Sequence, residues 1–398
     1  TIIKKKCKIL IVITQKNTIA RIVVLVTLDT KMSEADYLVK SISSFNITPT
    51  VIDISLSKNP SKLNKSKLIS SVSKRAADYL KIIESEGSMV VVVLGGGTGL
   101  QIGIKAMQNL SPLTQRFLIG TFPQDVRPWL AKANTTLIPT IVDVCGNGPI
   151  LKFFLDKAVR QIVFSAKENN PTISNEFKAI GLTSLGVTEK AVKNFLNLIN
   201  SNEESVSVFH SNGYGGSGLQ MAIQENWISG IIDLTTHEAT RMWVKGDHIE
   251  MDDRFSENHS FPIPRVTVPG GLNFLSLGGV NTLSKTFKKR KHFIHSESFT
   301  HVCLSKKEMT ILTTKLINKL NKLSRPSVLA IPMGGFSSED RSGGAIENIE
   351  LREIFRKIAK KRTNDLVEVI EYSDHISSKR FAKEVYKRFS DLKNKKGD

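Results

Sequence analysis

A chain of 398 residues is too long for one ordinary hydrophobic core, so two domains are expected. Hydrophobic residues make up 40% and charged residues 23%, a globular composition that excludes a chain of low-complexity repeats. The 56 Lys+Arg against 37 Asp+Glu leave a net charge of +19, which favours acidic partners such as nucleotides, nucleic acids or anionic surfaces.

The basic residues are scattered, as in KNPSKLNKSK and RKIAKKR, and read mainly as solvated surface. Cys7, Cys145 and Cys303 lie far apart and form no CxxC, which argues against a disulfide framework or a thiolate zinc site and fits a reducing cytosol. No run approaches the ~18 apolar residues of a membrane span. The apolar run Ile9 to Ile13 is too short for a signal-peptide core, so a cytoplasmic protein is expected. Residues 1–20 are set aside as an N-terminal extension.

From Arg21 onward, short Val/Ile-rich runs alternate with helical patterns. RIVVLV reads as a buried strand and SEADYLVKSISSF as a helix, with Ser33 as N-cap and Asp36 at the capping-box position. TVIDIS, MVVVVL, RFLIGT and TLIPTIVDV read as strands, and SKLISSVSKRAADYLKIIES and ILKFFLDKAVRQIVFSA as helices. Polar KENNPTISNEFK, with Pro171, interrupts the rhythm. Beyond it the strands are AIGLTSL, SVSVFH, GIIDLTT, PRVTVPG, THVCL, SVLAIPM and LVEVIEY, with helices starting near Thr188, Gly218, Thr236, Ser305, Asn348 and Ser377. The alternation predicts an α/β protein of two Rossmann-like, doubly wound domains, with mainly parallel sheets and a cleft between them. The expected boundaries are 21–168 and 179–392, with a linker at 169–178 and a frayed tail at 393–398.

Two glycine clusters follow strands. Gly95, Gly96, Gly97, Thr98 and Gly99 follow MVVVVL, and Gly213, Gly215, Gly216, Ser217 and Gly218 follow SVSVFH. At the carboxyl end of a parallel strand, such clusters let backbone amides approach an anion, and the next helix adds its positive end. Both carry Gly-Gly-Thr/Ser-Gly-Leu-Gln, at 96–101 and 215–220, as related α/β units would. Neither is a Walker loop, since no Lys is correctly placed, and the dinucleotide fingerprint fails at Ile102. Close helix packing is the competing explanation for the glycines.

Thr27, Asp29, Thr30 and Lys31 follow the first strand and suit phosphate contacts and a Mg²⁺-linked water, or simply a capped helix. Asp125 and Arg127 form either an ion pair or an anion clamp. Asp233, Thr235, Thr236, His237 and Glu238 follow a buried strand, and His237-Glu238-x-x-Arg241 misses the zinc motif at its last position. Gly270 and Gly271 form a third glycine turn. His292, His295 and His301 lie close in sequence, and Ser337 and Ser338 follow another strand.

In order and spacing, TLDTK, GGGTG, DVRPW with TIVDV, FHSNGYGG, GIIDLTTHEAT, VTVPGGLNF, IPMGGFSSED and HISSKRFA resemble a known family over about Ile22 to Phe389. It is the two-domain ATP-binding family typified by the N-terminal region of the tomato mosaic virus resistance protein, with many uncharacterised microbial members. The resemblance implies two Rossmann-like domains and ATP binding, most plausibly on Thr27 to Lys31 and the two glycine loops. The chain departs from the family pattern at Val26, Gly97–Leu100, Ser217–Gln220, Asn273, Ser296–Glu297 and Ser377–Ser378. Those changes remove an Arg that would clamp phosphate and a Glu that would serve as an acid.

Three functions follow. The first is an ATP- or nucleotide-binding protein, with Gly95–Gly99 and Gly213–Gly218 on phosphate and Lys31 neutralising charge. Asp29 would then reach Mg²⁺ through water, and Thr235, Thr236 and Glu238 would meet the other end of the ligand. The second is an enzyme on a phosphorylated sugar acid or similar metabolite, with His237, Glu238 or His295 as acid/base. The third is a basic nucleic-acid- or protein-binding module. The sequence leaves a homo-oligomer open.

Overall fold

The computed structural model describes residues 19–56, 64–123, 126–130, 132–168, 178–245, 254–256 and 262–394. Nearly all of the expected extension and linker, together with Asp125, the Arg127 side chain and the last four residues, lie outside the described residues. The chain divides into two compact units, one within residues 1–172 and the other within 173–398.

The first unit runs β1 (Arg21–Val26), α1 (Leu28–Ser43), β2 (Thr50–Asp53), α2 (Lys65–Glu86), β3 (Met89–Gly95), α3 (Gly97–Ala106), β4 (Gln115–Gly120), α4 (Arg127–Leu130), β5 (Thr135–Pro139) and α5 (Pro149–Lys167). Its sheet is wholly parallel, in the order β2-β1-β3-β4-β5. The Val runs of β1 and β3 are buried on both faces, as a covered parallel sheet requires. Alternate residues serve opposite layers. Ile22, Val24, Val90 and Val92 pack with α1 and α5, whereas Val23, Leu25, Val91 and Val93 pack with α2 and α3. Each such side chain contributes roughly 1.5–3 kcal/mol of burial.

The second unit begins β6 (Ala179–Ser184), α6 (Glu189–Ser201), β7 (Val206–His210), α7 (Tyr214–Gln224), β8 (Ile228–Thr235), α8 (Glu238–Trp243) and β9 (Arg265–Gly270). Then come β10 (Phe274–Leu277), α9 (Lys285–Lys288), β11 (His292–Ile294), β12 (Thr300–Cys303), α10 (Lys306–Leu320), β13 (Ser327–Pro332), α11 (Ile349–Arg362), β14 (Val367–Tyr372) and α12 (Lys379–Asn394). Its main sheet is parallel, in the order β14-β13-β9-β8-β6-β7. Both sheets thus reverse direction beside their first strand, between β1 and β3 and between β6 and β8. At such switch points adjacent crossovers go to opposite faces and leave a crevice at the carboxyl edge.

Several sequence expectations change. α1 begins at Leu28 with Thr27 as N-cap, so Ser33 is not the cap, and Asp36 pairs with Lys40 instead of closing a capping box. The strand read across TLIPTIVDV stops at Pro139. THVCL leaves the main sheet: β12 lies between β10 and β11 in a separate antiparallel sheet, and neither neighbour was foreseen. The shared glycine hexapeptides are not equivalent in topology. One follows β3 at a switch point, and the other follows the edge strand β7.

Candidate functional site

In the first unit β1 and β3 end level, Val26 opposite Leu94, which brings the Thr27 and Gly95 turns side by side. A Cβ on Gly99 would lie 3.7 Å from Thr27 Cγ2. Thr27 is buried and its hydroxyl meets that of Thr30 at 3.0 Å, while Asp29 and Thr30 are exposed and Lys31 is half-buried. At Lys31 the backbone leaves helical geometry, so the helix is broken where these polar side chains emerge.

The start of α1 already has an anion. The Asp53 carboxylate accepts the Leu28 amide at 3.2 Å and the Ser55 amide at 2.9 Å, and Ser55 Oγ accepts the Asp29 amide at 3.0 Å. Burial works against ionisation of Asp53, but the Ser55 hydroxyl, which donates to it, and the Ser55 and Leu28 amides outweigh it and hold the carboxyl below its usual value. Sequence reasoning missed Asp53, because its acceptor role depends on strand pairing. The start of α3 differs. Gly96 is the N-cap, and among the described residues no side chain caps the first-turn amides of Gly97, Thr98 and Gly99. Gly96, Gly97 and Thr98 are partly exposed, and a Cβ on Gly96 would meet nothing within 4 Å. The Gly97 and Thr98 amides are orphan donors of a helix N-terminus on partly exposed residues, open to an acceptor from outside, whereas Gly99 behind them is buried.

In the second unit the glycine cluster is filled from within. Gly213, at φ +103, is the N-cap of α7, so Gly215, Gly216, Ser217 and Gly218 lie within the start of the helix and not in a loop. Glu238 Oε1 accepts the Gly213 amide at 2.6 Å and the Gly216 amide at 3.0 Å. A Cβ on Gly216 would overlap that carboxylate, so glycine here is needed for close approach. Glu238 Oε2 takes Arg254 Nε at 2.9 Å, and Arg254 also makes a two-pronged contact with Asp233 at 2.8 and 2.9 Å. Arg265 adds a 3.2 Å contact to Asp233, and Arg254 stacks on Phe255 at 4.0 Å. Asp233, Glu238 and Arg254 are fully buried. Burial disfavours both charges, yet Arg254 holds the Asp233 carboxyl below its usual value, and Asp233 and Glu238 raise the Arg254 guanidinium. Arg254 carries no local sequence signal, since it sits in the polar stretch MDDRFSENHS.

The remaining candidates separate. Thr235 Oγ1 meets Thr188 Oγ1 at 2.8 Å, and Thr236 Oγ1 donates to Val268 O at 3.1 Å, so both hydroxyls serve the fold. His237 is buried and bound through Nδ1 to Gly271 O at 2.7 Å. Its ring begins a column: Phe274 at 4.4 Å, then His301 at 4.2 Å, then exposed His295 at 4.8 Å. Burial pushes His237 down to about 3 and His301 to about 4, so both are neutral near pH 7. Among the described residues no group of three or more His, Cys, Asp or Glu could hold a metal ion, and no helix is long and apolar enough to cross a membrane.

The model of the C-terminal domain of the uncharacterised protein family UPF0261 matches residues 178–393, and that of its N-terminal domain matches residues 58–171. The chain belongs to the UPF0261 family. A UPF0261 protein of Clostridium tetani is 25% identical over 94% of this chain and 99% of its own length. The ToMV susceptible protein tm-1(GCR26) of Solanum lycopersicum is 24% identical over 96% of this chain and 57% of that protein. The ToMV resistance protein Tm-1(GCR237) of the same plant is 25% identical over 82% of this chain and 45% of that protein. Among solved structures, an S. aureus MnaA-UDP co-structure aligns over 95% of this chain and 99% of that one, at 10% identity and a TM-score of 0.21. The relation to tomato Tm-1 proteins agrees with the resemblance read from the motifs.

Proposed function

We propose that this UPF0261 protein binds ATP or a related phosphorylated ligand at the carboxyl edge of its first sheet, beside the level ends of β1 and β3. One observation carries the reading. Of the three helix starts expected to hold phosphate, α1 and α7 are already served by Asp53 and Glu238, while the amides of Gly97, Thr98 and Gly99 at α3 have no such partner among the described residues. Phosphate oxygens would accept from the Gly97 and Thr98 amides, and the helix end would favour their charge. The Thr27 and Thr30 hydroxyls flank the site, Lys31 would neutralise charge, and Asp29 would orient a water on Mg²⁺ brought with the nucleotide. Turnover is not part of the proposal.

Calorimetric titration of ATP, with and without Mg²⁺ and with AMP as control, tests it. Saturable binding that requires the β- and γ-phosphates supports the reading. No heat with any phosphorylated ligand tried, from ATP to phosphorylated sugar acids, would overturn it.

A further inference from the structure

β14 is an edge strand of the second unit's main sheet, and α12 packs over its neighbours β13 and β9. The parallel pairing of β13 with β14 sets Val328 opposite Glu368, so both side chains stand on one face of the sheet. It is the face of α12: Val328 shares a core with Phe389 and Leu392, and Ile370 and Tyr372 of β14 are only partly buried against it. Toward the amino end of β14 the helix leaves a cavity of about 360 Å³, lined by Val328, Glu368, Arg388, Asp391, Leu392 and Asn394. Pockets that hold small ligands begin at about 300 Å³.

The lining combines three kinds of surface. Val328 and Leu392 are buried and supply an apolar floor. Glu368 and Asp391 are exposed carboxylates, and Asp391 makes no ion pair among the described residues. Arg388 stands 3.9 Å from Glu368, beyond hydrogen-bond distance, and also meets the Tyr372 side chain. Other cations of this end are engaged: Lys393 pairs with Glu204, and Arg325 donates to the Pro262 and Leu392 carbonyls at 3.3 Å. Two carboxylates against one guanidinium make the cavity acidic in a chain of net charge +19, and the C-terminal end of α12 adds to the negative side. A simple anion would meet the two carboxylates here, and a simple cation would meet the guanidinium. A ligand with both charges a few bonds apart satisfies all three groups.

We infer that this cavity binds a free α-amino acid with an apolar side chain. Arg388 would take the α-carboxylate on its guanidinium fork, Glu368 and Asp391 would hold the α-ammonium, and the side chain would lie on Val328 and Leu392. The inference does not depend on the anion site at α3.

Equilibrium dialysis of the full chain against radiolabelled L-leucine, L-valine and L-methionine tests it. Saturable binding of at least one is expected. Isoamylamine, which lacks the carboxylate of leucine, and isocaproate, which lacks its amine, should each compete about tenfold or more less well than leucine. Because both side chains are exposed, Glu368→Gln and Arg388→Gln should fold normally, and each should weaken binding by about tenfold or more. No saturable binding of any of the three amino acids would overturn the inference. Isoamylamine competing as well as leucine would do so too, since the cavity would then take any amine. Unchanged affinity in either variant would also overturn it.

Discussion

The carboxylate of Glu238 sits on the backbone amide of Gly216, 3.0 Å away, where a ligand phosphate was expected. An internal anion there satisfies the N-terminal donors of α7 and neutralises Arg254, so its removal leaves a buried guanidinium short of charge. Glu238→Gln should cost about 3 kcal/mol of stability, in the range for breaking a buried ion pair. Urea denaturation of the two proteins checks it. A loss below about 1 kcal/mol would mean that Asp233 alone balances Arg254.

Gly216→Ala should be nearly as damaging, because the new methyl overlaps the carboxylate. Gly96→Ala has free space and should change stability by about 1 kcal/mol or less. The same Gly96 substitution crowds the open amides of α3 and should lower ATP affinity about tenfold or more, or some 1.4 kcal/mol. Titrating ATP into this variant separates ligand loss from fold loss. Unchanged affinity would remove α3 from the proposed site.

Asp53→Ala strips the cap from α1 and should cost about 1 kcal/mol, as loss of an N-cap acceptor does. Thermal unfolding measures it. Because Asp53 titrates below its usual value, its contribution is present above the unfolded carboxyl pKa and is lost as pH falls through the folded one. The difference between wild type and variant should therefore shrink in acid.

Stability should fall as the medium is acidified from about pH 6.5 toward pH 4. His237 and His301 have folded values near 3 and 4, against 6.5 when unfolded. In that window the unfolded chain binds protons that the folded one refuses, so each histidine destabilises the fold by about 2 kcal/mol at pH 5 relative to pH 7. Denaturation series at pH 7, 6 and 5 read the slope. Replacing His301 by Phe should flatten it by roughly half. A slope unchanged in that variant would show that His301 takes up its proton in the folded state.

The strands and helices were largely legible, because Val and Ile runs such as Val90–Val93 and amphipathic stretches such as 66–85 carry their own periodicity. α1 starts earlier than Ser33, at Leu28 behind Thr27, because the Leu28 amide is taken by Asp53 at the end of β2, a partner that no local spacing records. The glycine clusters were found, but their difference was not. Whether the amides are open at Gly97 or filled at Gly216 depends on a carboxylate 22 residues away in sequence.

Alternation of buried strands and amphipathic helices, written in local hydrophobic pattern, by itself determined two parallel α/β units and put polar turns at strand ends. Strand order was decided only by tertiary structure, since β3 and β7 have similar following sequences yet lie at the centre of one sheet and the edge of the other. The same holds for the buried Asp233–Arg254–Glu238 network and the His237–Gly271 hydrogen bond. Their members meet through long-range packing, and burial makes such pairings compulsory only once the sheet has assembled, so no local spacing records them.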